Sequence, residues 1–455
     1  MNASRTSDSG MSLKTDQEDT AGLKLNIIIG SNQVSKNQST NTNACLGLKS
    51  PTKFTDSHWV PLSDQFPEDF AYSAYLDGRN GERIVRVVAF LPSTNLMYCH
   101  IWLRDSSTTM GKNVETVRAG KAYIFRACAH NMIPPALLNC RVNSNSTPYA
   151  VSIVKDPCHS PSSAINVQDA RVLRNSPPPG DDSFGVCVKP LHGAKQSTSR
   201  LVEFIEVNRM FGAQHITLYD FNANKTAIGP ILDAYQKDGT LSLVPWNFPA
   251  TAQRILTKRN TAFIYWVIEC GQLAATTDCL YRNMNRFQYL AVVDMDEFLT
   301  PRANSSWRDL IKILPQNAGA YLFQNKFFRM DWMGRQEIAK NHAALNDSRA
   351  AKFNPKSLSV TKSEYVGEVY RPKYILRTEA AYATRVHRPR LFPSWVEYVV
   401  PKHLGLSHHY RNAGRSNRHL KGHPVEKDTY MWKYKDELLT RMERVFNRTG
   451  ALVTD

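Results

Sequence analysis

Three acidic residues follow one short apolar run, and their spacing is that of a cation-binding motif. Residues 289–293 (YLAVV) are apolar, and Asp294, Asp296 and Glu297 come directly after them. An apolar run of this length between polar residues predicts a strand that is buried on both faces. Side chains alternate along a strand, so Asp294 and Asp296 are expected to project to the same side of its carboxyl end. Two neighbouring carboxylates repel unless a cation lies between them, which predicts a metal site; the alternative is that the acids only cap the next turn.

The composition is that of a globular protein with a basic surface. Of the 455 residues, 42% are hydrophobic and 21% are charged, which is enough apolar material for a large core. The formal net charge of +17 favours anionic partners, such as nucleic acid, an acidic membrane surface or a phosphate-bearing ligand. The basic residues do not form one long run and no compact nucleic-acid-binding motif is found in the sequence, so a nucleic-acid partner is not expected.

Cysteines and glycosylation sequons favour folding in the secretory pathway. The chain has eight cysteines, and two of them, Cys99 and Cys128, fall in predicted strands, either as a disulfide or as unpaired core residues. The sequence lacks both a signal peptide and an apolar stretch long enough to cross a bilayer. Either the protein is cytosolic or its targeting segment is absent from this chain. The Asn-x-Ser/Thr sequons include those at Asn145, Asn224, Asn304, Asn346 and Asn447.

Composition divides the chain into five segments. Residues 1–55 are polar and predict a disordered leader or stem. Residues 56–174 contain short aromatic and β-branched runs between turn residues, which predict a small all-β domain. Residues 175–182 form a Pro/Gly linker. Residues 183–424 alternate predicted strands with helices, and residues 425–455 end the chain with a predicted helix.

The alternation in residues 183–424 predicts an α/β domain with a mostly parallel sheet. Residues 197–211 and 262–286 have the spacing of helices, whereas residues 341–355 are polar and predict a loop. In a sheet of this kind, ligands bind in the crevice at the carboxyl ends of the strands. The acids that follow the strand at 289–293 are therefore expected in that crevice.

A series of short motifs runs in order through residues 183–412. They are Val186–Pro190, Leu201–Glu206, Gln272–Leu280, Val293–Phe298, Lys373 with Arg377, His387, and His409–Arg411. Together they resemble glycosyltransferase family 92, which contains galactosyltransferases of animal N-glycan cores. The resemblance implies a GT-A fold, which is a nucleotide-sugar-binding α/β domain that uses a divalent cation, usually Mn²⁺. It also implies a single-pass type II membrane protein of the Golgi lumen, although this chain has no spanning segment.

Sugar transfer from a nucleoside diphosphate requires that the charge of the leaving diphosphate be neutralised, and a divalent cation with oxygen ligands can do this. Asp296 is the first predicted metal ligand. Asp294 is predicted to contact either the ribose of the nucleotide or, through water, the metal. His409, in a motif of the resemblance, is the second predicted ligand, because Mn²⁺ accepts imidazole as well as carboxylate. His408 is the neighbour that could be mistaken for it.

Four further residues are predicted to bind substrate. Arg411, by bidentate hydrogen bonds, and Lys373, as a point charge, are candidates for the donor phosphates; the alternative for each is a solvated basic surface. His387 is predicted to bind donor or acceptor. Asp278 matches the family and is predicted to contact the nucleotide, or else to form a buried salt bridge with an arginine.

An inverting transfer also needs a general base for the acceptor hydroxyl. Asp331 is the predicted base because it ends a predicted strand beside an aromatic residue, and Glu297 and Glu364 are its rivals. These observations predict a metal-dependent, inverting glycosyltransferase that moves a sugar from a UDP-sugar onto the glycan of a glycoprotein. Galactose as the sugar and a β-linkage are implied by the resemblance alone.

Two other classes of protein compete with this prediction. A catalytically silent glycan-binding protein of the same fold has no reason to retain Asp294, Asp296 and His409. A basic cytosolic nucleic-acid binder is disfavoured by the sequons and by the scattered cysteines.

Overall fold

The computed structural model describes residues 45, 48–55, 59–61, 69–91, 96–104, 113–123, 134–168, 182–192, 196–221, 223–248, 250, 270–330, 335–359, 362–365, 371–411 and 425–455. All of them belong to one compact unit, Thr42–Asp455, which combines helices with several sheets. The protein is therefore of the mixed α/β class. Among the helices of these ranges, none has both the length and the apolar character of a membrane span.

Strands make up most of the first part of the described chain. Ten of them form one sheet in the order β6-β5-β9-β10-β3-β4-β8-β7, with β1 on β10 and β2 on β3. Neighbouring strands are antiparallel except at β10–β3 and β1–β10. The strands are β1 Lys53–Thr55, β2 Val60–Pro61, β3 Phe70–Asp77, β4 Ile84–Phe90, β5 Tyr98–Arg104, β6 Asn113–Arg118, β7 Gly120–Tyr123, β8 Pro135–Arg141, β9 Thr147–Val154 and β10 Ser163–Gln168.

A disulfide closes this sheet over its core. Cys99 on β5 bonds to Cys140 on β8, with 5.9 Å between the two Cα atoms, although these strands are not neighbours in the sheet. The pairing of Cys99 with Cys128 is therefore wrong. Cys99 pairs with Cys140 because the sheet curls and brings β5 next to β8, and the spacing of strands along the sequence does not reveal this curl. Cys128 lies outside the described residues.

The second part of the described chain alternates strands with helices. Its strands are β11 Phe184–Val188, β12 Leu191–His192, β13 Ala213–Phe221, β14 Leu241–Pro245, β15 Tyr289–Val293, β16 Glu297–Pro301, β17 Ala318–Phe323, β18 Asn325–Arg329, β19 Lys362–Tyr365, β20 Lys373–Arg377, β21 Ala381–Ala383, β22 Arg390–Leu391, β23 Val396–Val400, β24 Gly405–Arg411 and β25 Val425–Lys427. Its helices are α1 Thr198–Phe211, α2 Gly229–Lys237, α3 Gln272–Asn283, α4 Trp307–Lys312, α5 Arg335–Leu345, α6 Ser348–Phe353 and α7 Lys435–Thr449.

The central sheet of this part has the order β12-β13-β11-β15-β20-β17-β23, with β14 on β13. The strands from β14 and β12 across to β15 are parallel to their neighbours, whereas β20 is antiparallel to both β15 and β17. The sheet is therefore mixed. Cys187 of β11 is disulfide-bonded to Cys279 of α3, which fixes that helix against the sheet.

A second sheet of this part, in the order β16-β24-β18-β19-β25, starts just after β15. β16 and β24 are antiparallel, and β24 and β18 are parallel. Because only a short turn separates β15 from β16, the acids of that turn lie where the two sheets meet.

The ends of helix α1 follow local capping chemistry. The hydroxyl of Ser197 accepts the backbone N–H of Arg200 at 3.0 Å, and Gly212 ends the helix at a φ of 120°, which favours glycine. The helix predicted at residues 197–211 is thus confirmed. α3 coincides with the latter part of the helix predicted at 262–286; residues 262–269 lie outside the described part of the chain.

The loop predicted at residues 341–355 is wrong, because α5 and α6 cover most of it. The side chain of Asp347 accepts the N–H of Arg349 at 2.9 Å and caps α6. Phe353 is buried and stacks on Phe446 of α7 with ring centroids 5.3 Å apart. The polar residues of this stretch therefore serve as caps and exposed helix surface.

A buried carboxylate connects α3 to both large sheets. Asp278 of α3 accepts hydrogen bonds from Ser73 Oγ at 2.5 Å and from Tyr75 Oη at 2.6 Å, both on β3. Tyr219 of β13 donates to its other oxygen at 2.5 Å, and Arg282 pairs with that oxygen at 3.0 Å. Of the two roles predicted for Asp278, the structure contains the buried salt bridge with an arginine.

Candidate functional site

Residues at one edge of the central sheet converge because of strand direction. β11 and β15 are parallel and in register, so Lys189 and Asp294, which follow them, leave the sheet side by side. β20 runs in the opposite direction, which brings its first residue, Lys373, to the same edge. The N–H of Glu297 donates to the carbonyl of Asp294 at 3.1 Å. This turn, rather than the alternation of an extended strand, sets the directions of Asp294 and Asp296.

Asp294 is an ionised carboxylate between two lysines. Its Oδ2 lies 3.1 Å from Nζ of Lys189 and 3.3 Å from Nζ of Lys373. Burial raises the pKa of the Asp294 carboxyl, but the charges of Lys373 and Lys189 outweigh burial and hold that pKa well below its usual range. Burial lowers the pKa of Lys373, and the two acids beside it, Asp294 and Glu297, more than offset this and raise it. The charge of Asp294 is therefore balanced within the protein.

Asp296 lies against His409. In the antiparallel pair of β16 and β24, Glu297 and His409 are opposite each other. From the preceding turn position, Asp296 places its Oδ2 3.3 Å from Nε2 of His409. The Asp296 side chain is 39% exposed, whereas His409 is buried. Burial raises the pKa of Asp296, but the hydrogen bond with His409 outweighs it and lowers that pKa, so Asp296 is ionised.

Glu297 connects the lysines to the histidine. Its Oε1 lies 3.1 Å from Nδ1 of His409, and its Oε2 lies 3.1 Å from Nζ of Lys373. These contacts join six side chains into one network at the sheet edge. We call it the acid–lysine–histidine cluster; its members are Lys189, Asp294, Asp296, Glu297, Lys373 and His409.

The chemistry of this cluster suits a divalent cation at one position. In the described residues, no three His, Cys, Asp or Glu side chains converge as a complete metal-binding group. Asp294 is engaged by lysines, so the Asp296 carboxylate and Nε2 of His409 are the adjacent pair of candidate ligands. Hard cations often take one or two protein ligands and complete their coordination with substrate phosphates and water. The pair therefore fits a cation that a bound diphosphate helps to hold.

A cleft opens beside Asp294, between α3, the end of β15 and the start of β20. Its lining combines apolar side chains with three basic groups, two polar side chains and the Asp294 carboxylate. The lining residues are Lys189, Gln272, Leu273, Thr276, Val292, Val293, Asp294, Lys373, Arg385 and Val386.

Two more of the predicted substrate-binding residues lie near the cluster in the fold. Nδ1 of His387 is 3.2 Å from the backbone carbonyl that precedes Lys373. Burial, with a smaller effect from Lys373, lowers the pKa of His387 to about 3, so its ring is neutral at physiological pH. Arg411 ends β24 two residues after His409 and is opposite Arg329 in the register of β24 with β18.

His408 and His409 lie on opposite faces of β24. Nε2 of His408 is 3.2 Å from the guanidinium of Arg302, and its Nδ1 is 3.3 Å from the hydroxyl of Tyr410. Burial lowers the pKa of His408 to about 3. His408 is therefore a neutral core residue, and His409 is the histidine of the cluster.

The general base stays a prediction. Asp331 lies outside the described residues. Glu364 is on β19, where its backbone is opposite Phe327, and Phe327 in turn is opposite His409. Glu297 is buried with both carboxylate oxygens in contact with cations or N–H groups, which is not the environment of a base that must reach an acceptor.

Sequence reasoning missed the roles of two cluster residues. Lys189 directly follows the first strand of the α/β part, and a basic residue at that point could have been matched with the acids after β15. Glu297 was considered only as a base, because its contact with His409 depends on the register of β16 with β24.

The fold and the cluster together define a mixed α/β protein with an acid–lysine–histidine cluster beside a cleft at one edge of its central sheet. Residues 182–448 match the family described as Glycosyltransferase family 92, and the chain belongs to this family.

Similar proteins come from Caenorhabditis elegans. The chain is 28% identical over 247 residues to beta-1,4-galactosyltransferase galt-1, which covers 51% of either protein. It is 29% identical over 136 residues to glycosyltransferase family 92 protein F13G3.3, which covers 28% of this chain and 25% of that protein. The match thus spans about half of the first relative and a quarter of the second.

Glucosyl-3-phosphoglycerate synthase from Mycobacterium tuberculosis, in complex with Mn²⁺, UDP and glucosyl-3-phosphoglycerate, aligns with 60% of this chain and 82% of its own. The TM-score is 0.23 and the identity 12%, and a likeness this low carries no argument.

Proposed function

We propose that the protein is a metal-dependent, inverting glycosyltransferase with a GT-A fold. In this proposal it transfers galactose from UDP-galactose, in a β-linkage, to the glycan of a glycoprotein. Family membership supports sugar transfer, and the similarity to a protein named beta-1,4-galactosyltransferase supports the sugar and the linkage. The observation that carries the proposal is the position of the Asp296–His409 pair next to a cleft lined by Lys189 and Lys373.

In this mechanism the cleft binds the donor through its diphosphate. Lys189 and Lys373 attract the phosphates, and Lys373 is held in place by its contacts with Asp294 and Glu297. Asp296 and His409 would hold a divalent cation, Mn²⁺ in the proposal, and that cation would supply Lewis-acid neutralisation of the departing diphosphate. The ammonium groups of Lys189 and Lys373 can also donate hydrogen bonds to the phosphate oxygens.

The remaining residues bind and orient the two substrates. Asp294, beside the lysines, accepts hydrogen bonds from ribose hydroxyls, and Arg411 binds a phosphate through its planar guanidinium. The neutral ring of His387 contacts a sugar hydroxyl. Asp331 takes the proton of the acceptor hydroxyl. At the same time the acceptor oxygen forms a bond to the anomeric carbon of the sugar, and the bond between that carbon and the diphosphate breaks.

The proposal includes the secretory-pathway lumen as the site of action. The disulfides Cys45–Cys158, Cys99–Cys140 and Cys187–Cys279 are typical of an oxidising compartment. A Golgi location, type II membrane anchoring, and the division of the chain into leader, all-β domain, linker, transferase domain and closing helix stay predictions.

The first experiment measures UDP release from UDP-galactose with N-glycan acceptors, with and without Mn²⁺. We compare the wild type with Asp296→Ala and with Asp233→Ala, a matched control because Asp233 is exposed on α2. We expect Mn²⁺-dependent turnover that Asp296→Ala loses and Asp233→Ala keeps. If the wild type binds UDP and Mn²⁺ without turnover, a different sugar or acceptor, or a silent glycan-binding relative, is indicated. A wild type that binds neither contradicts the proposal.

A further inference from the structure

The turn that leads into β20 has a strained backbone. Arg371 has a φ of 49°, in the left-handed region, and it precedes Pro372, although a proline favours an extended conformation in the residue before it. Four of the six non-glycine residues with a positive φ in the described chain are Asn or Asp, which tolerate this region, but Arg371 has no such side chain. A residue keeps such a conformation only where its surroundings hold it, and strain of this kind is concentrated at functional sites.

Asn325 holds the first carbonyl of this turn. Phe323 of β17 is opposite Lys373 of β20 in an antiparallel register, so Asn325, two residues after Phe323, falls opposite Arg371. Its Nδ2 donates to the carbonyl of Arg371 at 3.2 Å and lies 3.5 Å from Nδ1 of His409. Its Oδ1 is buried and has no hydrogen-bond partner among the residues that the structure describes, so the amide acts on the fold through its nitrogen.

His387 holds the second carbonyl of the turn. Its Nδ1 lies 3.2 Å from the carbonyl of Pro372, and because a carbonyl only accepts, the N–H at Nδ1 is the donor. The segment before His387 is itself attached to β20, since the hydroxyl of Tyr374 donates to the carbonyl of Arg385 at 2.6 Å. Side chains from two distant parts of the sequence thus hold two consecutive carbonyls.

The turn fixes the point from which the Lys373 side chain starts. The pairing of β20 with β17 includes Lys373, whereas its pairing with β15 begins at Tyr374, so Lys373 is at the end of the ladder. Nζ of Lys373 lies 3.3 Å from Asp294 and 3.1 Å from Glu297, and the side chain is 3% exposed. A shift of the preceding turn would move the ammonium away from these carboxylates.

We propose that Asn325 and His387 are positioning residues that hold the strained Arg371–Pro372 turn and so fix the ammonium of Lys373 beside the cleft. Both residues act through Lys373. The inference rests on the proposed function in one respect, which is that Lys373 attracts the diphosphate of the donor.

Amine labelling measures the enclosure of Lys373 without any ligand. The full chain is treated with acetic anhydride, and mass spectrometry of its peptides gives the rate at which each lysine is acetylated. Lys356 is the internal standard, because it is 12% exposed and pairs with Asp455 at 3.0 Å. We expect Asn325→Leu and His387→Leu to raise the rate at Lys373 about threefold to tenfold, the equivalent of one hydrogen bond, and to leave the rate at Lys356 unchanged.

Two more variants separate positioning from a general loss of stability. The amide NH₂ of asparagine can replace the N–H at Nδ1, so His387→Asn should keep the slow labelling of Lys373. Asn208 is buried as Asn325 is, and its Nδ2 donates to the carbonyl of Phe204 within α1 at 2.8 Å. Asn208→Leu should lower the melting temperature, as Asn325→Leu does, and leave the labelling of Lys373 unchanged.

Calorimetry with UDP and Mn²⁺ connects the turn to the donor site. UDP carries no hexose, so a change in its affinity does not come from a lost contact between His387 and the sugar. We expect Asn325→Leu and His387→Leu to weaken UDP binding about threefold to tenfold. In a Lys373→Met background they should have no further effect, whereas an effect of Asn325 through His409 would persist there.

The outcomes separate this inference from the proposed function. Labelling of Lys373 that is unchanged in both leucine variants, or that rises together with that of Lys356 or in Asn208→Leu, would overturn the positioning role. Losses of UDP affinity that persist in Lys373→Met would contradict it as well. If Lys373 is labelled faster in the leucine variants but the wild type does not bind UDP, or all variants bind it equally, the diphosphate site of the proposed function is wrong and the positioning of Lys373 stands.

Discussion

Replacement of Asp278 by asparagine tests whether this residue joins the sheets or contacts the nucleotide. Its two oxygens accept from Ser73, Tyr75, Tyr219 and Arg282, and it is fully buried. Asparagine retains a single acceptor oxygen. The hydroxyls of Ser73 and Tyr75 can rotate to accept from its NH₂, so its oxygen can still accept from Arg282, but the guanidinium loses the negative charge of its partner.

The expected cost follows from this loss of one partner of a buried pair. Such changes destabilise by about 3–5 kcal/mol, a large fraction of the roughly 5–15 kcal/mol that holds a typical domain folded. Because all of the donors come from the protein itself, the affinity of the folded variant for UDP should stay within about twofold of the wild type, which is less than 0.5 kcal/mol.

Urea unfolding, followed by tryptophan fluorescence, measures the stability, since the ring of Trp246 lies 5.2 Å from that of Tyr219 beside this network. Calorimetry with UDP and Mn²⁺ measures binding under conditions in which the variant is folded. The exposed Asp233→Asn is the control and should change stability by no more than about 0.5 kcal/mol. An Asp278→Asn protein as stable as the wild type that binds UDP tenfold more weakly would refute the reasoning and favour the nucleotide contact.

Three further outcomes are expected. Lys373→Met removes the cation between Asp294 and Glu297 and should weaken UDP binding about tenfold or more, which calorimetry checks against the exposed control Lys237→Met. Burial, assisted by the charge of Arg286, lowers the pKa of His215 to about 4. As the pH falls, His215 is therefore protonated in the unfolded chain before it is protonated in the folded protein. The free energy of unfolding should fall between about pH 6.5 and pH 4, by up to about 1.4 kcal/mol per pH unit. Urea unfolding of His215→Gln should show a flatter pH dependence, and an unchanged slope argues against a buried neutral ring. Chelation of divalent cations should abolish turnover, and Mn²⁺ should restore it.

Local chemistry was sufficient to predict several elements of this fold. The strand at 289–293 is bounded by polar residues and is paired on both sides, and the helix after Ser197 has its cap, its buried face and its terminal glycine in the sequence. The polar stretch at 341–355 misled the prediction, because Asp347 and its neighbours favour helix caps as much as loops.

Long-range pairing decided what the sequence could not show. Lys373 reaches Asp294 because β20 enters the sheet in the opposite direction, and residue types do not reveal strand direction. Glu297 meets His409 because of one register between strands more than a hundred residues apart. Asp294 and Asp296 are predicted from their spacing, and His409 and Lys373 from their places in the family resemblance, but the contacts among these four side chains depend on the topology.

One disulfide bond makes the integrity of the cleft depend on whether the chain folds in an oxidising compartment. Cys187 lies two residues before Lys189, and Cys279 is on the helix that supplies Gln272, Leu273 and Thr276 to the cleft. The bond closes a loop of 92 residues, for which chain entropy predicts a contribution of about 4–5 kcal/mol. Protein produced in a reducing bacterial cytosol would keep every side chain of the cluster and lose the tether between the two walls of the cleft. If such a preparation were inactive, the missing disulfide would be a sufficient cause. The activity assay therefore requires protein in which this disulfide has formed.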